Sequence, residues 1–175
     1  MIDYIKRWNA LGVLTKVSVC EAQRGSMKTI RHSNLVNGSE SPDIIKDSNF
    51  LSINLRVSNL VCLDVEGTRN SVVKFKGILS SLGVSLDSLF YERSLNSGLH
   101  IYFRNSNNIE LSKYKKAKVD GIDFDFLYTG RAFTAPSYLD DKFYEWGEKT
   151  PFTINSLYEI DHIPQWLIER FLVLQ

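Results

Sequence analysis

Three short segments of this chain alternate between apolar and polar side chains, and each carries ionisable groups on its polar side. Val61, Leu63 and Val65 share one side of their segment while Asp64 and Glu66 share the other. Leu99, Ile101 and Phe103 oppose His100, Tyr102 and Arg104, and Ile122, Phe124 and Phe126 oppose Asp123 and Asp125. A period of two is the pattern of a half-buried strand, and a slip of one residue would drive every charge into the core. As neighbours in one sheet, the segments would pack their apolar sides on helices. Their polar sides would then assemble an open face carrying Asp64, Glu66, His100 and Asp125.

The remaining elements follow from periodicity and punctuation. Ile2, Ile5, Trp8 and Leu11 recur at helical spacing before Gly12, predicting a helix over 2–11 and then a strand over 13–19. Residues 21–49 are rich in Ser, Asn, Gly and Lys, with one short helix predicted after Ser41-Pro42. Strands are expected at 50–57 and 60–66, and Val72, Phe75, Ile78, Leu79 and Leu82 form the stripe of a helix over 71–82 closed by Gly83. A hairpin joins 88–94 to 99–104, and a second joins 118–128 to 131–135 through Thr129-Gly130. A short strand at 143–146 and a closing helix at 164–174 complete the chain. The expected fold is α+β: a mixed, largely antiparallel sheet with helices on one face, an open active-site face and a small N-terminal αβ unit. The parts are 1–57, a core at 58–150 and a C-terminal helix within 151–175.

A chain of 175 residues, 43% hydrophobic, can bury the core of one globular domain. Its net charge of +1 creates no global field for a polyanion, so any nucleic-acid surface must be local. Cys20 and Cys62 are too few for a disulfide framework or a four-cysteine zinc site, and a reducing, cytoplasmic setting is expected. The residues from Met1 to Lys6 lack a signal peptide's apolar stretch, and no run approaches the ~20 apolar residues that span a bilayer, so no membrane partner is expected.

Asp64 and Glu66 leave one face of a strand about 6.6 Å apart, close enough for hard divalent cations to bridge their oxygens. Without a cation they repel each other. An Asp-x-Glu pair also occurs as ordinary solvated surface, but here no Lys or Arg stands between the acids and a further acidic pair lies on another strand. Taken alone, His100 reads as a surface or half-buried hairpin histidine, Asp123 and Asp125 as the charged guard of an edge strand, and most of Lys113, Lys115, Lys116 and Lys118 as a solvated loop. The stretch from Arg24 to Thr29 lacks the Gly before Lys and the spacing of a P-loop.

Taken in order, Leu63-Asp64-Val65-Glu66-Gly67, Gly98-Leu99-His100-Ile101-Tyr102-Phe103, then Asp125, Gly130, Phe133-Thr134-Ala135-Pro136-Ser137 and Tyr144-Glu145-Trp146 resemble the bifunctional primase/polymerase domain. This domain belongs to the archaeo-eukaryotic primase superfamily and occurs in replication proteins of plasmids, phages and related mobile elements. The resemblance implies an RRM-like catalytic module and template-directed nucleotidyl transfer on single-stranded DNA by a two-metal mechanism. It matches Asp64 and Glu66 to the first motif, whose acids hold Mg²⁺ or Mn²⁺, and Asp125 to the third acidic position, with Asp123 as runner-up. His100, with Arg56 and Ser97, would hold the triphosphate of a nucleoside triphosphate. Tyr102, Arg104 and the lysines of 113–118 would grip the template, and a helicase, fused or separate, would be a partner. The chain departs from the pattern in Asn96-Ser97-Gly98, in its single Pro136, and in Lys28-Thr29-Ile30, where a lysine-proline segment is expected. A metal-dependent nuclease and a non-catalytic single-strand-binding module are the alternatives.

Overall fold

A computed structural model of the chain describes residues 1–23, 26–32, 42–106, 109–111 and 117–172. Lys113, Lys115, Lys116 and the Arg24-Gly25 pair lie outside the described residues. Helix α1 (Ile2–Ala10) buries Ile5 and Trp8, as its apolar stripe requires, and ends at Gly12 in the left-handed region. Strands β1 (Thr15–Gln23) and β2 (Ser26–His32) form a hairpin, followed by α2 (Pro42–Asp47), β3 (Phe50–Asn54) and β4 (Leu60–Val65). Helix α3 (Arg69–Ser81) is capped by Thr68, whose hydroxyl accepts the Ser71 N–H. Then come β5 (Tyr91–Arg93), β6 (Leu99–Arg104), β7 (Ala117–Val119), β8 (Ile122–Leu127) and β9 (Arg131–Thr134). The short strands β10 (Tyr138–Leu139), β11 (Lys142–Phe143) and β12 (Glu145–Trp146) precede α4 (Gln165–Leu167), which continues as a π-helical turn over Ile168–Leu172.

The fold is α+β. A six-stranded open sheet runs β12-β5-β6-β4-β8-β7, a four-stranded sheet runs β2-β1-β3-β9, and β10 pairs with β11. All the named strand pairs are antiparallel. Within the larger sheet β4, β5, β6 and β8, taken in chain order, lie in the spatial order fourth, first, third, second, the arrangement of an RRM-like unit. On one face Leu63, Val65, Ile101, Phe124 and Phe126 pack against Phe75 and Leu79 of α3 and Leu167 and Phe171 of the closing helix.

The opposite face differs from the expected open surface. Leu60, Cys62, Phe90 and Tyr102 pack there against Val17, Leu51, Ile53 and Ala132 of the four-stranded sheet and against Ile5 and Trp8 of α1. These apolar groups on the nominally polar side demand a cover, and the N-terminal sheet supplies it. Exposure is retained toward Asp64, Glu66 and β8.

Several expected elements shift. The second hairpin turns not at Thr129-Gly130 but at Asp120-Gly121, both at positive φ, between β7 and β8, while β9 crosses to the other sheet and pairs with β3. The Ser/Asn-rich stretch contains β2, held by pairing with β1. The strand expected at 50–57 ends at Asn54, where the chain turns through Asn59 at φ 52° and the Leu60 N–H closes on the Leu55 carbonyl at 3.0 Å.

Two glycines hold the end of β4 against the β5–β6 turn. A Cβ on Gly67 would stand 2.1 Å from the Asn96 carbonyl oxygen, and one on Gly98 would stand 2.6 Å from that of Val65. Gly67→Ala is expected to destabilise the protein by about 1 to 3 kcal/mol through overpacking against backbone. Gly77→Ala, on the exposed side of α3 with nothing within 4 Å, is expected to stabilise it by about 0.5 to 1 kcal/mol. Urea denaturation of both variants checks the opposite signs.

Candidate active site

The register of four strands sets the site. Asp64 in β4 stands opposite His100 of β6 on one side and opposite Asp125 of β8 on the other. Beyond His100, β5 places Glu92 opposite the imidazole. Directly paired residues of antiparallel strands share a face, so Glu92, His100, Asp64 and Asp125 form one row across the sheet. The Glu66 N–H donates to the Asp123 carbonyl at 3.0 Å, extending the β4–β8 ladder and bringing these two acids into the next row on that face. The row runs from interior to surface: Glu92 is 0% exposed, His100 5%, Asp64 is half-buried and Glu66 exposed.

Glu92 is the residue that sequence reasoning missed. Its Oε1 accepts from the Tyr102 hydroxyl at 2.5 Å, and its Oε2 accepts from the Thr134 hydroxyl at 3.0 Å and the Ala135 N–H at 2.7 Å. The Phe133 to Ser137 segment supplies two of these donors. It is tied down by Ser137, whose hydroxyl accepts the Leu51 N–H at 2.8 Å and lies 2.5 Å from the Thr134 carbonyl. Counting residues back from the Ser94–Gly98 turn would have placed Glu92 beside His100.

His100 lies within this frame, Nδ1 3.2 Å from the Phe133 carbonyl and 3.4 Å from Glu92 Oε1, with Nε2 3.6 Å from Asp64 Oδ1. The Tyr144 ring stands 5.4 Å from the imidazole, centroid to centroid. Burial alone would lower the His100 pKa, but the Glu92 hydrogen bond and the negative charges of Asp64 and Glu92 outweigh it and raise the value. Burial raises the Asp64 carboxyl, His100 draws it down, and the facing Asp125 pushes it up again. Burial and then Glu92 push the Tyr144 phenol far up, so it stays neutral.

Among the described residues, no three or more His, Cys, Asp or Glu side chains are gathered so as to hold a metal ion, the expected trio of Asp64, Glu66 and Asp125 included. Asp64 and Asp125 nonetheless face each other across one strand pair, and burial with like charge raises Asp64. Hard cations such as Mg²⁺ are held by one or two carboxylates plus substrate phosphates and keep several waters, so an all-oxygen pair at a half-open edge fits such an ion. Asp125 rather than Asp123 is the residue directly opposite Asp64 in the register, and Asp123 pairs with Lys118 of β7 at 3.1 Å.

The other expected contacts divide. Ser97 sits exposed at φ 63° in the turn beside Gly67, at the carboxylate end of the sheet. Arg56 does not join it. It lies in the turn before Leu60, and Leu60 is four residues from Asp64 along β4, about 13 Å. Tyr102 is not free to stack on a base, being 1% exposed and bonded to Glu92. Arg104 is engaged with the Ile160 and Tyr158 carbonyls at 2.7 and 3.1 Å and lies over the Tyr158 ring. Lys118 is paired with Asp123. No protein-family model matches the chain, and no curated protein matches it in sequence.

Asp64 and His100 both bind protons more tightly in the folded chain than in the unfolded one. Their stabilising contribution is therefore complete below their unfolded values, about 3.9 and 6.5, and is lost as pH rises through the raised folded values. Asp125→Asn removes one cause of the Asp64 shift and is expected to bring that carboxyl down. A ¹³C NMR titration of Asp64 reads this, and an unmoved midpoint in the variant would contradict the facing pair.

Proposed function

We propose that this chain is a metal-dependent nucleotidyltransferase of the primase/polymerase type, joining nucleoside triphosphates along a single-stranded DNA template. The row of His100, Asp64 and Asp125 across three adjacent strands is the observation that carries this reading. The resemblance of the three segments to that domain supports it.

In the reaction, the oxygen of a 3′-hydroxyl attacks the α-phosphate in line, forming the new O–P bond as the bond from the α-phosphorus to the bridging oxygen breaks; pyrophosphate leaves with that electron pair and the hydroxyl proton passes to solvent. Mg²⁺ or Mn²⁺ held by Asp64 and Asp125, with Glu66 beside them, would supply Lewis-acid stabilisation of phosphate charge. The two aspartates fix negative oxygens on a rigid sheet, so their positions cost no reorganisation during the reaction. When the His100 ring is protonated, its Nε2–H projects toward the same point and donates to a triphosphate oxygen. Ser97, in the turn at the same end, adds a hydroxyl within a loop that Gly67 and Gly98 keep close to β4. The N-terminal sheet covers the inner end of the row and keeps water from His100 and Glu92. A helicase, fused or separate, would present the template, and the reaction fits a cytoplasmic setting. Among the described residues no helix is long and apolar enough to cross a membrane.

Extension of labelled single-stranded DNA, primed and unprimed, with Mg²⁺ or Mn²⁺ and nucleotides tests the proposal. The wild type should extend it, and Asp64→Asn should lose at least about 100-fold in rate while keeping its circular dichroism. Mn²⁺ should raise the melting temperature of the wild type but not of Asp64→Asn. Absence of extension with every nucleotide and either metal would overturn the reading, and metal-dependent shortening without nucleotides would indicate a nuclease.

A further inference from the structure

We infer that Glu92 is a positioning residue: it receives the Nδ1–H of His100 and so fixes the ring's orientation, aiming Nε2, which donates once the ring is protonated, at the Asp64 edge of the site. The argument begins with burial. An ionised carboxylate at 0% exposure is costly unless donors surround it, and an apolar side chain would fill the same space without that cost. Glu92 is met by three donors from β6, from β9 and from the residue after β9: the Tyr102 hydroxyl, the Thr134 hydroxyl and the Ala135 N–H. The Ala135 N–H can only donate, so Oε2 is an acceptor there. The carboxylate is thereby held in place independently of His100.

The fixed carboxylate acts on the imidazole. Nδ1 faces two acceptors, the Phe133 carbonyl at 3.2 Å and Glu92 Oε1 at 3.4 Å. A carbonyl has no proton to give, so a lone pair on Nδ1 would oppose two oxygens, whereas an N–H satisfies them. Nε2 has one, more distant oxygen before it, Asp64 Oδ1 at 3.6 Å, so the single proton of the neutral ring belongs on Nδ1, and protonation of the ring adds an Nε2–H aimed at the Asp64 edge. Tyr144 and Tyr102, with centroids 5.4 and 6.4 Å from the ring, flank the imidazole. A buried carboxylate orienting a histidine whose other nitrogen serves the site is a general device for fixing tautomer and direction. The tautomer stands on geometry alone. Its consequence for phosphate binding rests on the nucleotidyltransferase reading.

The full chain labelled with ¹⁵N-histidine, with the His100 signals assigned by comparison with His100→Gln, tests this at alkaline pH, where the ring is neutral. Long-range ¹H–¹⁵N correlations should show His100 protonated on Nδ1 and bare on Nε2, and a proton on Nε2 overturns the inference. In Glu92→Gln, which places an NH₂ among donors, the single-tautomer pattern should give way to a mixture. The nucleotide KM should rise about 10-fold or more, with kcat changed far less. A folded Glu92→Gln with the wild-type pattern overturns the inference. Tyr102→Phe keeps the ring and withdraws one donor from Oε1, so the Nδ1 proton should shift downfield as its bond to Glu92 tightens; an unmoved resonance counts against the role even if Glu92→Gln does not fold. Failure of the wild type to extend DNA removes the proposed function and leaves the tautomer measurement to decide the role of Glu92.

Discussion

The antiparallel register of β6, β4 and β8 is the constraint on which the rest depends. It sets Asp64 between His100 and Asp125, and it is maintained against the repulsion of two facing carboxylates. Like charges directly opposite one another in a sheet cost something under about 1 kcal/mol. On the other face Leu63, Val65, Ile101, Phe124 and Phe126 are each at most 2% exposed, and full burial of one such side chain stabilises by about 1.5 to 3 kcal/mol. A one-residue slip of β4 would forfeit that packing and push Asp64 toward Phe75. Hydrophobic burial therefore wins, and the acids are held together by forces that act on the opposite side of the sheet.

A gradient of exposure follows from the same arrangement. The four-stranded sheet and α1 cover the inner end of the polar face, where Glu92 is satisfied entirely by protein donors. Toward Asp64, Asp125 and Glu66 the cover ends. The interior end gives rigidity and the outer end gives access, with His100 between them. Gly67 and Gly98 belong to this design because side chains there would pry the end of β4 from the β5–β6 turn.

Much of this was legible in local pattern. The stripes of α1 and α3, the alternation of β4, β6 and β8, and the shared face of Asp64, His100 and Asp125 all come from periods of 3.6 and 2. What local pattern does not carry is the choice of strand partner. β9 follows β8 after a glycine turn yet pairs with β3, a pairing that buries Ala132 among residues from the N-terminal part. The Asp120-Gly121 turn was present as a hairpin signal inside what reads as one long strand. Tyr102 and Arg104 have the composition of a nucleic-acid groove, but neighbours distant in sequence, Glu92 for one and Tyr158 to Ile160 for the other, occupy their polar ends. Arg56 fell away because the turn after β3 leaves it at the far end of β4.

The central claim, that Asp64 and Asp125 together receive a divalent cation, is tested most directly by anomalous diffraction from crystals soaked in Mn²⁺. An anomalous peak bridging these two carboxylates, absent from crystals of Asp64→Asn treated alike, is the predicted result. Saturating Mn²⁺ with no peak between them, or with its ordered peaks at other residues, would contradict the account.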